Sequence, residues 1–165
     1  MFAAEDCIKL WFNRHDFHFT TADLLSKDAN IIIDIQDIPF SNAVWSFITC
    51  NHVLEHVTDY RKALSELHRV LRDDGILEII VPADKNQSTT IEDKSIILEK
   101  DRKEKYGQED HLRLFGNDFL NILRESGFAV EVIEGNKMPE KIRPVIGPSI
   151  FDDNRMYICR KTDKC

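Results

Sequence analysis

The stretch TCNHVLEHV, residues 49–57, carries the densest chemistry in this chain: His52 and His56 stand four apart, with Glu55 beside the second. Spaced that way on one helix, two imidazoles could share a zinc ion while the carboxylate works on its bound water, the H-x-x-E-H arrangement of one class of zinc peptidase. That chemistry needs both histidines inside a long helix and a third ligand aimed at the same point. Here the first histidine follows the apolar run VWSFITC (44–50) by two residues, and that run reads as a strand. Thr58-Asp59 then reads as the cap of a fresh helix. Any helix between them is one turn long, so the spacing secures no shared metal, and none is expected at His52 and His56. Two readings remain. Val53, Leu54 and Val57 could pack a strand-to-helix turn with His56 as a hydrogen-bonded filler. Alternatively, Asn51 and His52 face a ligand, because ligands of open parallel sheets lie outside the carboxyl ends of the strands.

The elements that must position these residues alternate between short apolar runs and helical patterns, which is the α/β signature. Residues 5–13 predict a short amphipathic helix through Ile8, Leu10, Trp11 and Phe12. FHFTT (17–21) predicts a strand ending at Asp23, the triplet Ile31-Ile32-Ile33 a second within 30–34, and 44–50 a third. Tyr60, Ala63, Leu64, Leu67, Val70 and Leu71 recur at intervals of three and four, a helix capped by Thr58 or Asp59. Asp73-Asp74-Gly75 should end it, with Gly75 in the left-handed position, and 76–81 follows as an apolar strand closed by Pro82. Strand, helix, strand is a parallel crossover. Residues 83–106 turn polar, and the whole segment 83–116 reads as a lid-like insertion into one domain spanning 1–165. Asn117 should cap a helix that buries Phe119, Leu120, Ile122 and Leu123 and ends at Gly127, followed by a strand over 128–133. A proline-rich loop covers 139–149, and 155–160 predicts a last, antiparallel strand at the far side of the sheet.

Composition sets limits. A chain of 165 residues, 42% hydrophobic and 31% charged, suits one core. No apolar stretch approaches the ~20 residues needed to span a bilayer, so no membrane partner is expected. A net charge of −7 argues against general nucleic-acid binding, which needs clustered Lys and Arg. Asp6 and Glu5 stand where a signal peptide would be positive, and the expected location is cytoplasmic. Cys7, Cys50, Cys159 and Cys165 lack a C-x-x-C pair and read as free thiols of a reducing compartment, Cys50 among the buried ones.

The order of TTADL, IIIDIQDIPF, SFITCNHVLEHV and ALSELHRVLRDDGILEIIVP resembles the class I S-adenosylmethionine-dependent methyltransferases, the type 11-like subtype in particular, with YGQEDHLRLFG (106–116) similar to a further block of that subtype. The resemblance runs from about residue 3 to 133 and is most specific over 34–82. It implies a Rossmann-like, doubly wound, mostly parallel sheet and S-adenosyl-L-methionine as cofactor. It places the ribose-binding carboxylate on Asp23 with Leu24 beside it, adenine contacts on Asp34 and Ile35, the methionine and methyl end at Asn51 and His52, and Glu5 at the acidic end of the first loop. As physical chemistry, a carboxylate suits two ribose hydroxyls, although Asp23 could equally cap its own turn.

One departure is large: the family's glycine-rich loop has no counterpart, since no glycine precedes Gly75, and the first, central strand is lacking. Three expectations stay open: the chain is a fragment of a longer protein, another segment fills the gap, or the protein no longer binds cofactor. The first gives an N-terminally truncated methyltransferase fold whose open centre invites pairing into a homodimer and binds cofactor poorly. Methyl transfer is an in-line displacement that mainly needs positioning; where the acceptor is a hydroxyl or amine, His52 or His111 could serve as base. Gln108, Glu109, Asp110, His111 and Arg113 are placed for acceptor contacts, or form a solvated polar turn. The acceptor, a small molecule among the candidates, is not identified by any motif. The alternatives are a non-catalytic methyltransferase-like binding module and, behind it, the H-x-x-E-H zinc hydrolase.

Overall fold

The computed structural model describes residues 1–2, 6–15, 18–134 and 155–162. Its elements in chain order are α1 (Asp6–Arg14), β1 (Ala22–Asp23), β2 (Ile31–Ile32), β3 (Trp45–Asn51), α2 (Tyr60–Val70), β4 (Leu71–Ile80), β5 (Ile91–Glu92), α3 (Glu99–Tyr106), β6 (Arg113–Leu114), α4 (Phe119–Glu125), β7 (Phe128–Glu134) and β8 (Arg155–Lys161). The parallel pairs β1–β2 and β3–β4 are joined through Phe2, which forms parallel bridges to Ala22 on one side and Cys50 on the other. The bridge is made by backbone hydrogen bonds from Phe2 N to Thr49 O at 2.9 Å and from Ala22 N to Met1 O at 2.8 Å. Phe2 itself is buried. The sheet therefore reads β2, β1, Phe2, β3, β4, β8, β7, with only β8 antiparallel to its neighbours. This is the expected doubly wound, mostly parallel sheet. Its centre is not vacant: a two-residue bridge takes up the central edges at that level, which removes there the premise for edge pairing between copies.

α2 forms where the spacing predicted it. Ala63, Leu64, Leu67 and Val70 are buried on one face, and Asp59 caps the first turn by accepting from Lys62 N at 2.9 Å. Each leucine fully buried on that face contributes about 2 kcal/mol of transfer free energy. The helix ends differently from expectation. Its C-cap is Leu71, extended at φ −69° and ψ 140°, and the chain enters β4 directly. Gly75 is not left-handed. It sits in a bulge where register jumps from Trp45↔Leu71 to Phe47↔Ile76, and a Cβ there would come within 2.8 Å of Leu71 Cδ1 and 3.0 Å of Arg72 O. Close approach, not φ, explains that glycine.

Three further expectations are corrected. β1 and β2 are two-residue strands, and 18–21 leads into β1 without being part of it. Asn117 does not cap α4; Asp118 holds the cap position, and Asn117 instead bonds Lys85 O and Arg155 Nη1. β8 lies between β4 and β7, so β7 is the edge. The 83–116 segment is folded on the body: β5 pairs with β6, α3 packs Tyr106 inward, and Leu114 and Phe115 join the buried residues. Gly127, at φ +90°, does end α4 as expected. The predicted loop at 139–149 lies outside the described residues, as does Glu5.

Candidate functional site

The carboxyl ends of the parallel strands place the expected residues on one edge of the sheet. Asp23 ends β1, Asp34 follows β2 by two residues, Asn51 ends β3, and His52 comes next. Asp23 and Asn51 each lie one residue beyond the pair that Phe2 bridges, so they flank the point where strand order reverses. Two strand spacings separate them, about 10 Å.

Each has been used differently by the fold. Asp23 Oδ1 accepts from the backbone N–H of Leu25 and of Ser26, both at 2.8 Å, so the turn-capping role is real. Its Oδ2 has no hydrogen bond among the described residues. Leu24 beside it is exposed, whereas Ile35 is buried. The carboxylate of Asp34 is engaged by Gln36, through its backbone N at 2.8 Å and Nε2 at 3.1 Å. Gln36 Oε1 in turn accepts from Thr58 Oγ1 and Asp59 N at 2.8 Å, which ties the β2 exit to the start of α2. Asn51 is 8% exposed; its Nδ2 donates to Glu78 Oε2 at 3.1 Å, while Oδ1 is buried with no hydrogen-bond partner. His52 adopts φ +53°, an uncommon left-handed conformation for a residue with a side chain, and its backbone N–H donates to Ile80 O at 2.9 Å.

Residues 53–58 form turns and bends, not a helix, so His52 and His56 are not stacked one helical turn apart. The turn brings in a residue that the spacing did not: His111. Its ring centroid lies 4.8 Å from that of His56, edge to face at 77°. Glu55, His56 and His111 each offer a donor atom, and these atoms lie within 4.8 Å of one another. Glu55 is 1% exposed, and neither carboxylate oxygen has a hydrogen bond. His52 Nδ1 at 3.5 Å and His56 Nε2 at 4.0 Å approach its Oε1 within ion-pair range only. His56 Nδ1 faces Asp110 Oδ2 at 3.3 Å, and His111 Nδ1 faces the backbone carbonyl of Tyr106 at 3.1 Å. Burial holds the His111 imidazole below its ordinary pKa, partly offset by Glu55 and by the Tyr106 hydrogen bond.

Arg113 lies behind this turn. It is 1% exposed and donates to Leu54 O at 2.7 Å, Val57 O at 2.6 Å and Thr58 O at 3.3 Å, and to Glu92 from Nε at 3.4 Å and Nη2 at 3.2 Å. Its guanidinium carbon also lies 4.9 Å from the centroid of the Tyr60 ring. The 108–113 segment is therefore not a solvated turn throughout: Gln108, Glu109 and Asp110 are exposed, but His111 and Arg113 are core residues. From sequence, Glu55 entered only as the glutamate of the H-x-x-E-H alternative and Arg113 only as a candidate acceptor contact; their burial against the 54–58 turn depends on long-range contacts that no local pattern marks.

Other chemistry lies away from this edge. Cys50 and Cys159 are buried free thiols, and burial pushes Cys159 up to about 12, well above a reactive range. The best-formed apolar cavity, about 390 Å³, is bounded by Phe2, Phe12, Phe19, Phe40 and Trp45 under α1, near the amino end of β3. Among the described residues no helix is long and apolar enough to cross a membrane.

A sequence model described as a methyltransferase domain matches residues 5–133. An uncharacterized protein of Methanocaldococcus jannaschii is 38% identical over 55 residues, which covers 33% of this chain and 24% of that protein. The match thus spans about a quarter of that relative's length. The fold is similar to that of the Burkholderia thailandensis 1,6-didemethyltoxoflavin-N1-methyltransferase, whose structure holds 1,6-didemethyltoxoflavin and S-adenosylhomocysteine. That likeness has a TM-score of 0.64 and 17% identity, and covers 96% of this chain and 67% of that one. A SAM-dependent methyltransferase of Archaeoglobus fulgidus is similar at a TM-score of 0.59 and 15% identity, over 93% of this chain and 80% of that one. At those identities the solved structures bear on fold alone.

Proposed function

We propose, from the premise that this chain belongs to the methyltransferase-domain family, that it transfers a methyl group from S-adenosyl-L-methionine to a nucleophilic acceptor at the carboxyl edge of β1 and β3. The observation that carries this reading is Asn51 Oδ1. It is a buried acceptor with no hydrogen-bond partner, at a strand end beside the point where strand order reverses. A buried polar atom left unmatched costs about 1–3 kcal/mol, and a ligand that donates to it recovers that cost.

The sulfonium cofactor supplies the electrophilic methyl group, so the residues of the chain have to bind, orient and exclude water. Asp23 Oδ2 is available to ribose hydroxyls while Oδ1 keeps the turn rigid. Leu24 offers an apolar cover beside it, and the adenine end falls toward Asp34 and Ile35. Because Gln36 engages the Asp34 carboxylate, the backbone at Ile35 is the stronger candidate for reading the base. Asn51 Oδ1 suits an ammonium or hydroxyl donor. The side chain of His52, 49% exposed, is the ring an acceptor can reach. The Glu55 carboxylate lies 3.5 Å from its Nδ1 and orients the ring, and an imidazole so placed is the candidate base for a hydroxyl or amine acceptor. His111, 2% exposed, is placed to act through its neighbours and not on an acceptor directly.

Calorimetric titration of S-adenosylmethionine and S-adenosylhomocysteine into the chain tests the reading, with one saturable site expected. One observation favours a second reading, a methyltransferase-like binding module without catalysis: among the described residues Phe2 alone bridges the central edges, and no glycine precedes Gly75. Absence of heat with both compounds, on folded protein, would select that module.

A further inference from the structure

We propose that Glu55, His56 and His111 form a binding site for one divalent first-row transition-metal ion, Zn²⁺ or Mn²⁺ in chemical class. The donor set is drawn from two distant stretches of chain, and its atoms already lie within 4.8 Å of one another. Metal bonds of about 2.0–2.2 Å need those atoms closer by about an ångström, within reach of side-chain rotation.

The second observation is the Glu55 carboxylate. It is 1% exposed, and both its oxygens lack a hydrogen bond. An ionised carboxylate in that position costs several kcal/mol unless a cation compensates it. The groups that face it are His52 and His56, at 3.5 Å and 4.0 Å, and His111. Arg113, a permanent cation packed against the same turn, spends its N–H groups on Leu54, Val57, Thr58 and Glu92.

The third observation is how the imidazoles are held. The carbonyl of Tyr106 can only accept, so His111 Nδ1 carries the proton and its Nε2 keeps the lone pair. Asp110 does the same for His56 through Nδ1, and the Nε2 of His56 is the nitrogen nearest Glu55. A carbonyl on one ring and a carboxylate on the other are the supports that metal-binding histidines use to fix tautomer and raise basicity. Two imidazole nitrogens and one carboxylate oxygen suit zinc and its first-row neighbours better than magnesium or calcium, which prefer oxygen alone. The sides of His52 and His56 are open to solvent, which leaves coordination positions and a path of entry.

The inference rests on these side chains and not on methyl transfer, and its test reads the metal itself. Chelator-stripped, tag-free chain is titrated with ZnCl₂ and, separately, with MnCl₂, and binding is followed by calorimetry and by bound-metal analysis after gel filtration. One ion per chain with micromolar or tighter affinity is expected, together with a rise in the thermal midpoint that grows with free metal. Glu55→Gln preserves shape and should weaken binding at least a hundredfold, as should His56→Ala; Asp110→Asn should weaken it tenfold to a hundredfold. Should His111→Ala fail to fold, Glu55→Gln and half-exposed His56→Ala carry the test. No saturable binding of either metal at 100-micromolar free ion, on the order of a Kd too weak to matter, overturns the site. Stoichiometric zinc that survives both Glu55→Gln and His56→Ala also overturns it, because other groups then hold the metal.

Discussion

Arg113 and Glu55 lie against the same turn, 54–58, and each is 1% exposed, yet the fold treats the two charges oppositely. Arg113 has hydrogen bonds from Nε, Nη1 and Nη2 to three backbone carbonyls and a carboxylate, and the Tyr60 ring beneath it. Glu55 has no hydrogen bond to either oxygen. A buried guanidinium with its fork filled fixes geometry, here the carbonyls of a turn that no helix or strand would otherwise satisfy. A buried carboxylate left open raises the energy of the apo protein and lowers it again when a cation or proton arrives. The difference separates a residue that builds the turn from one the turn holds in readiness. Departures from polar satisfaction are expected to collect at functional places.

The largest effect should come from the filled side. Arg113→Ala strands Leu54, Val57 and Thr58 carbonyls and the Glu92 carboxylate, and should cost about 3–5 kcal/mol of unfolding free energy in urea, the loss typical of removing one partner from a buried charge network. An unfolding midpoint unchanged by that substitution would break the comparison at its firmer end. Asp23 stands between the extremes, with Oδ1 filled by the turn and Oδ2 open. Asp23→Asn keeps a capping oxygen and removes the charge. It should weaken S-adenosylmethionine by about 1.5–3 kcal/mol, roughly tenfold to a hundredfold. Unaltered affinity would move the ribose contact elsewhere.

What could be read in advance follows the range of the interaction. The strand runs, α2 with its Asp59 cap and the helix stop at Gly127 are set by neighbours a few residues apart, so period and turn chemistry reveal them. That Asp23, Asn51 and His52 fall at or just past strand ends was legible for the same reason, because strand ends fall where apolar runs stop. Phe2 was not: two residues make no period, and their place in the sheet depends on edges at Ala22 and Cys50. Nor was β8's insertion between β4 and β7, since strand order is a long-range choice. Gly75 misled because a glycine after a helical pattern looks like a left-handed cap, while here it clears Leu71. His111 and Arg113 could not be told from their exposed neighbours because QEDHLR is polar at every position except Leu112. Only the contacts across 55 residues or more, to the turn at 54–58, draw two of its six side chains inward.

Glu55→Gln addresses the open side. Without the charge there is less to compensate, so unfolding free energy measured without metal should stay within about 1 kcal/mol of the parent or exceed it. Metal affinity and the support of His52 should both be lost. Thermal and urea unfolding measured in a chelator decide the matter. A loss as large as that of Arg113→Ala would mean that Glu55 is a structural partner after all, and the contrast would collapse.

The smallest effect sharpens the comparison from outside the turn. Glu66 and Arg69 form a second filled pair: Arg69 Nε and Nη2 meet the two oxygens of Glu66 at 2.8 Å and 2.7 Å, and Glu66 Oε2 also accepts from Ile38 N at 2.9 Å. Arg69 then reaches Ile38 O and Phe40 O, which holds the 38–42 loop against α2. The hydrogen bond from Arg69 pulls the Glu66 carboxyl below its ordinary pKa, against the opposing effect of burial. A carboxyl whose folded value is depressed binds fewer protons in the native than in the unfolded state. Its stabilisation is therefore complete above the unfolded value, near 4.3–4.5 as a rough reference. It is lost as pH falls from there through the folded value. Unfolding curves of the parent and Glu66→Gln, taken from neutral pH to about pH 3, should converge as the acid limb is entered. Curves that stay parallel would show that the pair contributes through shape and not charge. Arg113, whose fork is filled by backbone carbonyls and Glu92, would then be the better guide to how this fold fills a clamp.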